Sequence, residues 1–139
     1  MTTIKRLTSN YLLKGMLVLV CLSLMSMPVS AQAVCVAVAT PTLSTPTATT
    51  GTWLGIDGMV SNCSSKKVRY TVVVSATDSC GTKIPIASSR LAFGPGQSLR
   101  FGISWPVPSG TCAGPCTVTV EAYSGLSVLG RASATFTIY

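Results

Sequence analysis

Along this chain, apolar side chains return at every second position in four separate runs. Val68, Tyr70, Val72, Val74 and Ala76 alternate with Arg69, Thr71, Val73 and Ser75. Leu99, Phe101, Ile103 and Trp105 alternate with Ser98, Arg100, Gly102 and Ser104. Val118, Val120 and Ala122 alternate with Thr117, Thr119 and Glu121, and Ala132, Ala134, Phe136 and Ile138 alternate with Arg131, Ser133, Thr135 and Thr137. A period of two puts one set on each face of a pleated strand, so each run predicts a strand with one buried face. β-Branched residues are frequent in these runs and suit that surface. Two less regular stretches, Thr52 to Val60 and Lys83 to Phe93, read as strands as well. Gly55 and Gly58 predict a bulge or bend in the first. Pro85 cannot donate to a ladder and predicts an edge or bulged strand in the second.

Turn chemistry falls between these runs: Asn62-Cys63-Ser64-Ser65, Asp78-Ser79-Cys80-Gly81, Gly94-Pro95-Gly96, Pro106 to Pro115 with Gly110 and Gly114, and Ser124-Gly125. Residues Ala39 to Thr50 (ATPTLSTPTATT) hold six threonines and two prolines. Pro41 and Pro46 exclude a helix there, and the composition predicts an extended, solvated linker after a short first strand, Val34 to Val38. Twelve residues are few for a glycosylated, mucin-like stalk. The expectation is an all-β fold, a two-sheet antiparallel Ig-like β-sandwich of about seven strands.

The first residues follow a different rule. Lys5, Arg6 and Lys14 lead into the apolar run Met16 to Met27. Pro28 ends the run, and Ala31-Gln32-Ala33 places small residues two apart. That is the order of a secretory signal helix, cut after Ala33. A run of twelve residues, with two serines in it, falls short of the roughly 20 that span a bilayer, so membrane contact is expected only through this segment. Cys21 follows Val20 rather than the small residue expected at a lipid-modified cysteine, and reads as apolar filler. The organisation is therefore a signal peptide over 1–33, an N-terminal strand and Thr/Pro-rich linker over 34–51, and the sandwich over 52–139.

Export puts the remaining cysteines, Cys35, Cys63, Cys80, Cys112 and Cys116, where disulfides persist. Loops of a sandwich alternate between its ends. Cys35 and Cys63 then share one end, and Cys80, Cys112 and Cys116 lie in loops at the other. This predicts Cys35–Cys63 and a bridge from Cys80 to Cys112 or Cys116, with Cys112–Cys116 as the rival. A Cys63–Cys80 bridge would have to cross a whole strand, roughly 30 Å at about 3.3 Å per residue, while bridged Cα atoms lie about 6 Å apart. Five is odd, so one thiol stays free or links two chains as a disulfide-linked dimer.

From Val34 on, Lys66, Lys67, Arg69, Lys83, Arg90, Arg100 and Arg131 face Asp57, Asp78 and Glu121, a net charge of +4. Only Lys66, Lys67 and Arg69 cluster, which is too sparse for a nucleic-acid interface but leaves a basic turn as a partner contact. The chain has no histidine, which removes Ser-His-Asp, Cys-His and His-zinc chemistry. Three dispersed carboxylates support neither a glycosidase pair nor a calcium site. A four-cysteine zinc site lacks a second pair to match Cys112 and Cys116. Ser64-Ser65-Lys66-Lys67 matches Ser-x-x-Lys, but lies in a turn where penicillin-recognising enzymes need a helix start. Asn62-Cys63-Ser64 is formally a glycosylation sequon. No catalytic residue, metal or cofactor is therefore expected. Tyr70 and Trp105 share the phase of the core. Tyr123 falls on the opposite face, where it is a candidate for stacking on sugar or docking a partner. Trp53 and Tyr139 receive no role from the pattern.

Gly58-Met59-Val60-Ser61-Asn62, the strand Arg69 to Ser75, Leu91-Ala92-Phe93-Gly94-Pro95-Gly96-Gln97-Ser98, Ile103-Ser104-Trp105-Pro106 and Gly110 to Val120 follow one another in an order that resembles the bacterial cell-adhesion-related (CARDB-like) domains and, more loosely, fibronectin type III modules. The cysteine-rich turn departs from that pattern. The resemblance implies an extracellular binding or spacer module with no catalytic residues, whose partner is a protein or glycan at the cell surface. Two other functions fit the same residues: a pilus-like or coat subunit assembling by strand exchange, and a small secreted inhibitor presenting the Cys112-to-Cys116 turn.

Overall fold

The computed structural model describes residues 34–139; the expected signal helix over 1–33 lies outside the described residues. Among the described residues there are strands and no helix: β1 (Val36–Val38), β2 (Thr42–Leu43), β3 (Thr47–Ala48), β4 (Trp53–Asn62), β5 (Val68–Thr77), β6 (Lys83–Phe93), β7 (Ser98–Pro106), β8 (Gly114–Ser124) and β9 (Ser127–Ile138). They form two sheets. In the first, β4 pairs antiparallel with β7 from Trp53↔Pro106 to Ser61↔Ser98. β1 and β2 lie end to end along the other edge of β4, through Val38↔Val60 and Leu43↔Ile56. The second sheet has the order β3-β9-β8-β5-β6, antiparallel except for β3, which runs parallel to β9.

The alternation predicts the buried face correctly. Tyr70, Val72, Val74 and Ala76 of β5, Val118, Val120 and Ala122 of β8, and Phe136 and Ile138 of β9 are buried against Leu54, Ile56 and Val60 of β4 and Trp105 of β7 in a single hydrophobic cluster. Leu99, Phe101 and Ile103 share the inward phase but are only partly buried, because β7 is an edge strand. The first sheet is narrower than the second. It leaves Ala87 and Ser89 of β6 exposed even though their partners, Val74 and Val72, are buried.

The structure differs from the sequence reading in four places. The segment read as a solvated linker is part of both sheets: β2 joins the first, then the chain crosses at Ser44–Pro46 and β3 joins the second. Threonine favours the extended backbone. Neither proline blocks the pairing, since Pro41 falls between β1 and β2, and Pro46 contributes only its carbonyl, which accepts from Thr137 N. The short pieces raise the count from about seven strands to nine. Gly55 and Gly58 make no bulge, because β4 and β7 pair without a register shift. Gly58 instead makes room for a ring: a Cβ there would lie 2.2 Å from Cζ of Phe101. Cys116 lies not in a loop but within β8, on its buried face. Pro85 behaves as expected. β6 is an edge strand, and the register shifts where Val74↔Ala87 gives way to Ser75↔Pro85.

Candidate functional site

The two disulfides lock opposite ends of this domain. Cys35–Cys63 and Cys80–Cys112 have Cα separations of 5.0 and 5.9 Å. Beside the first, Asn62 is fully buried, and its amide satisfies a group on nearly every neighbouring segment. Nδ2 donates to the carbonyls of Lys66 (2.8 Å) and Gly94 (3.0 Å), and Oδ1 accepts from Ser64 N (3.0 Å) and the Tyr70 hydroxyl (3.2 Å). Tyr70 also donates to the Cys35 carbonyl at 3.0 Å. With its amide committed, Asn62 is no glycosylation acceptor in the folded chain.

At the other end, Asp78 accepts from the backbone N–H groups of Cys80 (3.1 Å), Thr82 (2.8 Å) and Cys112 (3.1 Å). Hydrogen bonds from Cys112 and Thr82, and then from Cys80, hold its carboxyl below the usual value against the opposing effect of burial. Asp78, Cys80 and Cys112 present metal-ligand atom types within 4.8 Å. Both sulfurs are consumed by the disulfide and the carboxylate by three amides, so these residues form a structural clamp rather than a metal centre. Cys116 is the one free cysteine among the described residues. Burial first, and then the charge of Asp78, push its thiol pKa up. The Cys116 side chain is fully buried and offers no surface sulfur to a second chain.

The outer face of the second sheet carries a cluster of charged groups. Glu121 is buried there and accepts from the Tyr123 hydroxyl (2.8 Å) and from Arg131 Nε (2.8 Å), with Lys83 Nζ at 3.6 Å. Burial alone would raise its carboxyl. The hydrogen bonds from Tyr123 and Arg131 and the charge of Lys83 overcome that and hold it below its ordinary value. Tyr123 is therefore a tethered half-buried group, not a free stacking platform; its hydroxyl pKa is raised by the bond to Glu121. Lys66, Lys67 and Arg69 are exposed around the β4–β5 turn. No ion pair or hydrogen bond among the described residues joins them to Tyr123.

The aromatics that the pattern left without a role are the ones on the surface. Trp53 is 66% exposed and Tyr139 75% exposed, and both line one cleft of about 300 Å³ with Thr45, Thr47, Ala48, Thr49 and Thr52. Trp53 opens β4 in the outward phase, next to inward Leu54. That phase was readable from Leu54, Ile56 and Val60. Its junction with Tyr139 was not, because only the β3–β9 pairing creates it. The cleft floor is held by backbone hydrogen bonds. Thr49–Thr52 form a turn closed by Thr52 N to Thr49 O (3.1 Å), with Gly51 at φ 82°, where a Cβ would be strained. Gly51 N donates to Val107 O and Val107 N to Thr52 O, and Tyr139 N donates to Ala48 O. None of the lining side chains carries a charge.

No family model matches the chain, and no curated protein matches its sequence. Its backbone does match parts of solved structures. A β-glucosidase from Erythrobacter marinus aligns with a TM-score of 0.62 at 11% identity, over 76% of this chain and 16% of that one. A β-glucosidase from Listeria innocua aligns with a TM-score of 0.58 at 15% identity, over 76% and 16%. The Pseudomonas fluorescens alkylpurine DNA glycosylase AlkC aligns at 0.59 and 13% identity, over 74% and 30%. The chain thus spans between 16% and 30% of the length of these structures, and the likeness is one of fold alone.

Proposed function

We propose that this chain is a secreted, non-enzymatic binding module of the extracellular or periplasmic space, built on an Ig-like sandwich. The leader-like order of residues 1–33 and two disulfides support an oxidising compartment. The Ig-like reading is supported by two mainly antiparallel sheets whose inward-facing residues alternate along each strand and share one core. The observation that carries the function is the cleft at Trp53 and Tyr139. Tyr70 and Trp105 are packed away and Tyr123 is tied to Glu121, whereas these two rings stand in water on a hydrogen-bonded, uncharged floor. Exposed aromatic surface on a rigid scaffold is the usual mark of recognition.

The test is retention of fluorescently labelled protein on intact cells and isolated envelope fractions, read by cytometry. Wild-type protein is expected to be retained saturably, and Trp53→Ala to lose about tenfold in apparent affinity, the size of one aromatic contact. Equal retention of the variant, or none by either protein, counts against the reading.

A further inference from the structure

We infer that the Trp53–Tyr139 cleft is a binding site for a neutral saccharide. The inference rests on the binding-module reading and names its ligand class.

A pyranose ring has two kinds of surface: patches of C–H groups that pack on an aromatic face, and a rim of hydroxyls that both donate and accept. The cleft offers a partner for each. Trp53 and Tyr139 supply amphipathic rings, 66% and 75% exposed. Between and around them lie threonine hydroxyls. Those of Thr45 and Thr52 are held by the carbonyls of Thr47 (2.9 Å) and Thr49 (2.6 Å). The hydroxyls of Thr47 and Thr49 make no hydrogen bond to any described residue and are free to bond a ligand. No lining side chain is cationic, which leaves phosphates and sulfated glycans without a charge partner. The depression is open and shallow, about 300 Å³, large enough for the end of a short saccharide. The backbone that carries the rings is fixed by the Gly51 turn and by the bonds from Val107 to Thr52 and from Tyr139 to Ala48, so little order has to be gained on binding.

The experiment uses the purified protein on an immobilised array of neutral and anionic glycans, followed by titration of the best-retained glycan in solution. Tryptophan emission is the readout. Trp53 is exposed while Trp105 is only 6% exposed, so stacking on Trp53 should blue-shift the spectrum from the solvent-exposed ring. At least one neutral glycan is expected to bind, with an affinity unchanged by added salt. Trp53→Ala is expected to weaken binding about tenfold, with Trp53→Phe and Tyr139→Ala falling between it and wild type. All three substitutions lie at exposed rings and should leave the melting temperature nearly unchanged, which separates lost binding from lost folding.

The saccharide assignment is overturned if no neutral glycan is retained, if Trp53→Ala binds as well as wild type, or if only anionic glycans bind in a salt-sensitive way. If no glycan binds while retention on cells still depends on Trp53, the binding module stands and its ligand is a protein; if only anionic glycans bind, the module stands and its ligand is an anionic glycan. If light scattering finds concentration-dependent self-association that Trp53→Ala abolishes, and no glycan binds, the occupant is a second copy of this chain. If neither glycans nor cells are bound, both readings fall.

Discussion

Two carboxylates carry an unequal share of this domain's polar contacts. Asp78 gathers three backbone N–H groups at the Cys80–Cys112 end, and Glu121 gathers Tyr123, Arg131 and Lys83 on the outer face. Both carboxyls are held below their ordinary values, so on acidification the unfolded chain takes up protons before the folded one. Their stabilisation is therefore complete above the unfolded carboxylate range, about pH 4 to 5, and is lost as pH falls through the lowered folded values. The melting temperature should be flat above about pH 5 and decline below it, with a shallower acid slope in Asp78→Asn. Thermal scans across pH check this, and a melting temperature that rose on acidification would contradict it. Neither role was readable beforehand. Asp78 stood in a turn signal and Glu121 in an alternating strand; Cys80, Thr82 and Tyr123 are near neighbours in the chain, but Cys112, Arg131 and Lys83 reach the carboxylates only through the pairing of strands.

At the scale of the element, β3 has the largest effect for its size. Two residues, Thr47–Ala48, pair with the last strand and bring the Thr49–Thr52 turn beside Tyr139. Its register decides whether Trp53 and Tyr139 share a cleft at all. The strands also set the disulfides. β5 carries the chain from the Cys63 end to the Cys80 end, which keeps those two cysteines apart, and β8 turns Cys116 inward, leaving Cys112 as the partner for Cys80. The two bridges close loops of 28 and 32 residues. Loop-closure entropy predicts nearly equal contributions, about 3 to 4 kcal/mol each. Urea denaturation of Cys35→Ser/Cys63→Ser and of Cys80→Ser/Cys112→Ser should show losses of that size. A loss confined to one pair would assign the stability to local contacts, such as Asn62 or Asp78, rather than to chain closure.

At the scale of the whole described domain, its five cysteines resolve into two bridges and one enclosed thiol. Cys116 shares the inner face of β8 with Val118, Val120 and Ala122, where it behaves as a small apolar side chain. Within residues 34–139, a thiol reagent should label nothing under native conditions and one site after unfolding without reductant. The protein should also run as a monomer on non-reducing gels. Rapid native labelling, or a reductant-sensitive dimer, would mean that the interior opens or that the bridges are paired differently.

The sequence by itself determined what depends on neighbours along one strand. Strand positions, inward and outward faces, the turns, the edge character at Pro85 and the ends at which the cysteines lie all follow from the alternation of side chains across a pleat and from the conformations that glycine and proline impose. Tertiary structure alone decided what depends on distant segments meeting. The Thr/Pro stretch became strand because two sheet edges were open to it, Asn62 and Asp78 became hubs because carbonyls and amides from several loops converge on them, and Tyr123 lost its freedom to Glu121. Trp53 and Tyr139 are 86 positions apart in the chain, and no local pattern encodes their proximity; the parallel pairing of β3 with β9 creates it, because it hydrogen-bonds two segments from opposite ends of the described chain into one sheet.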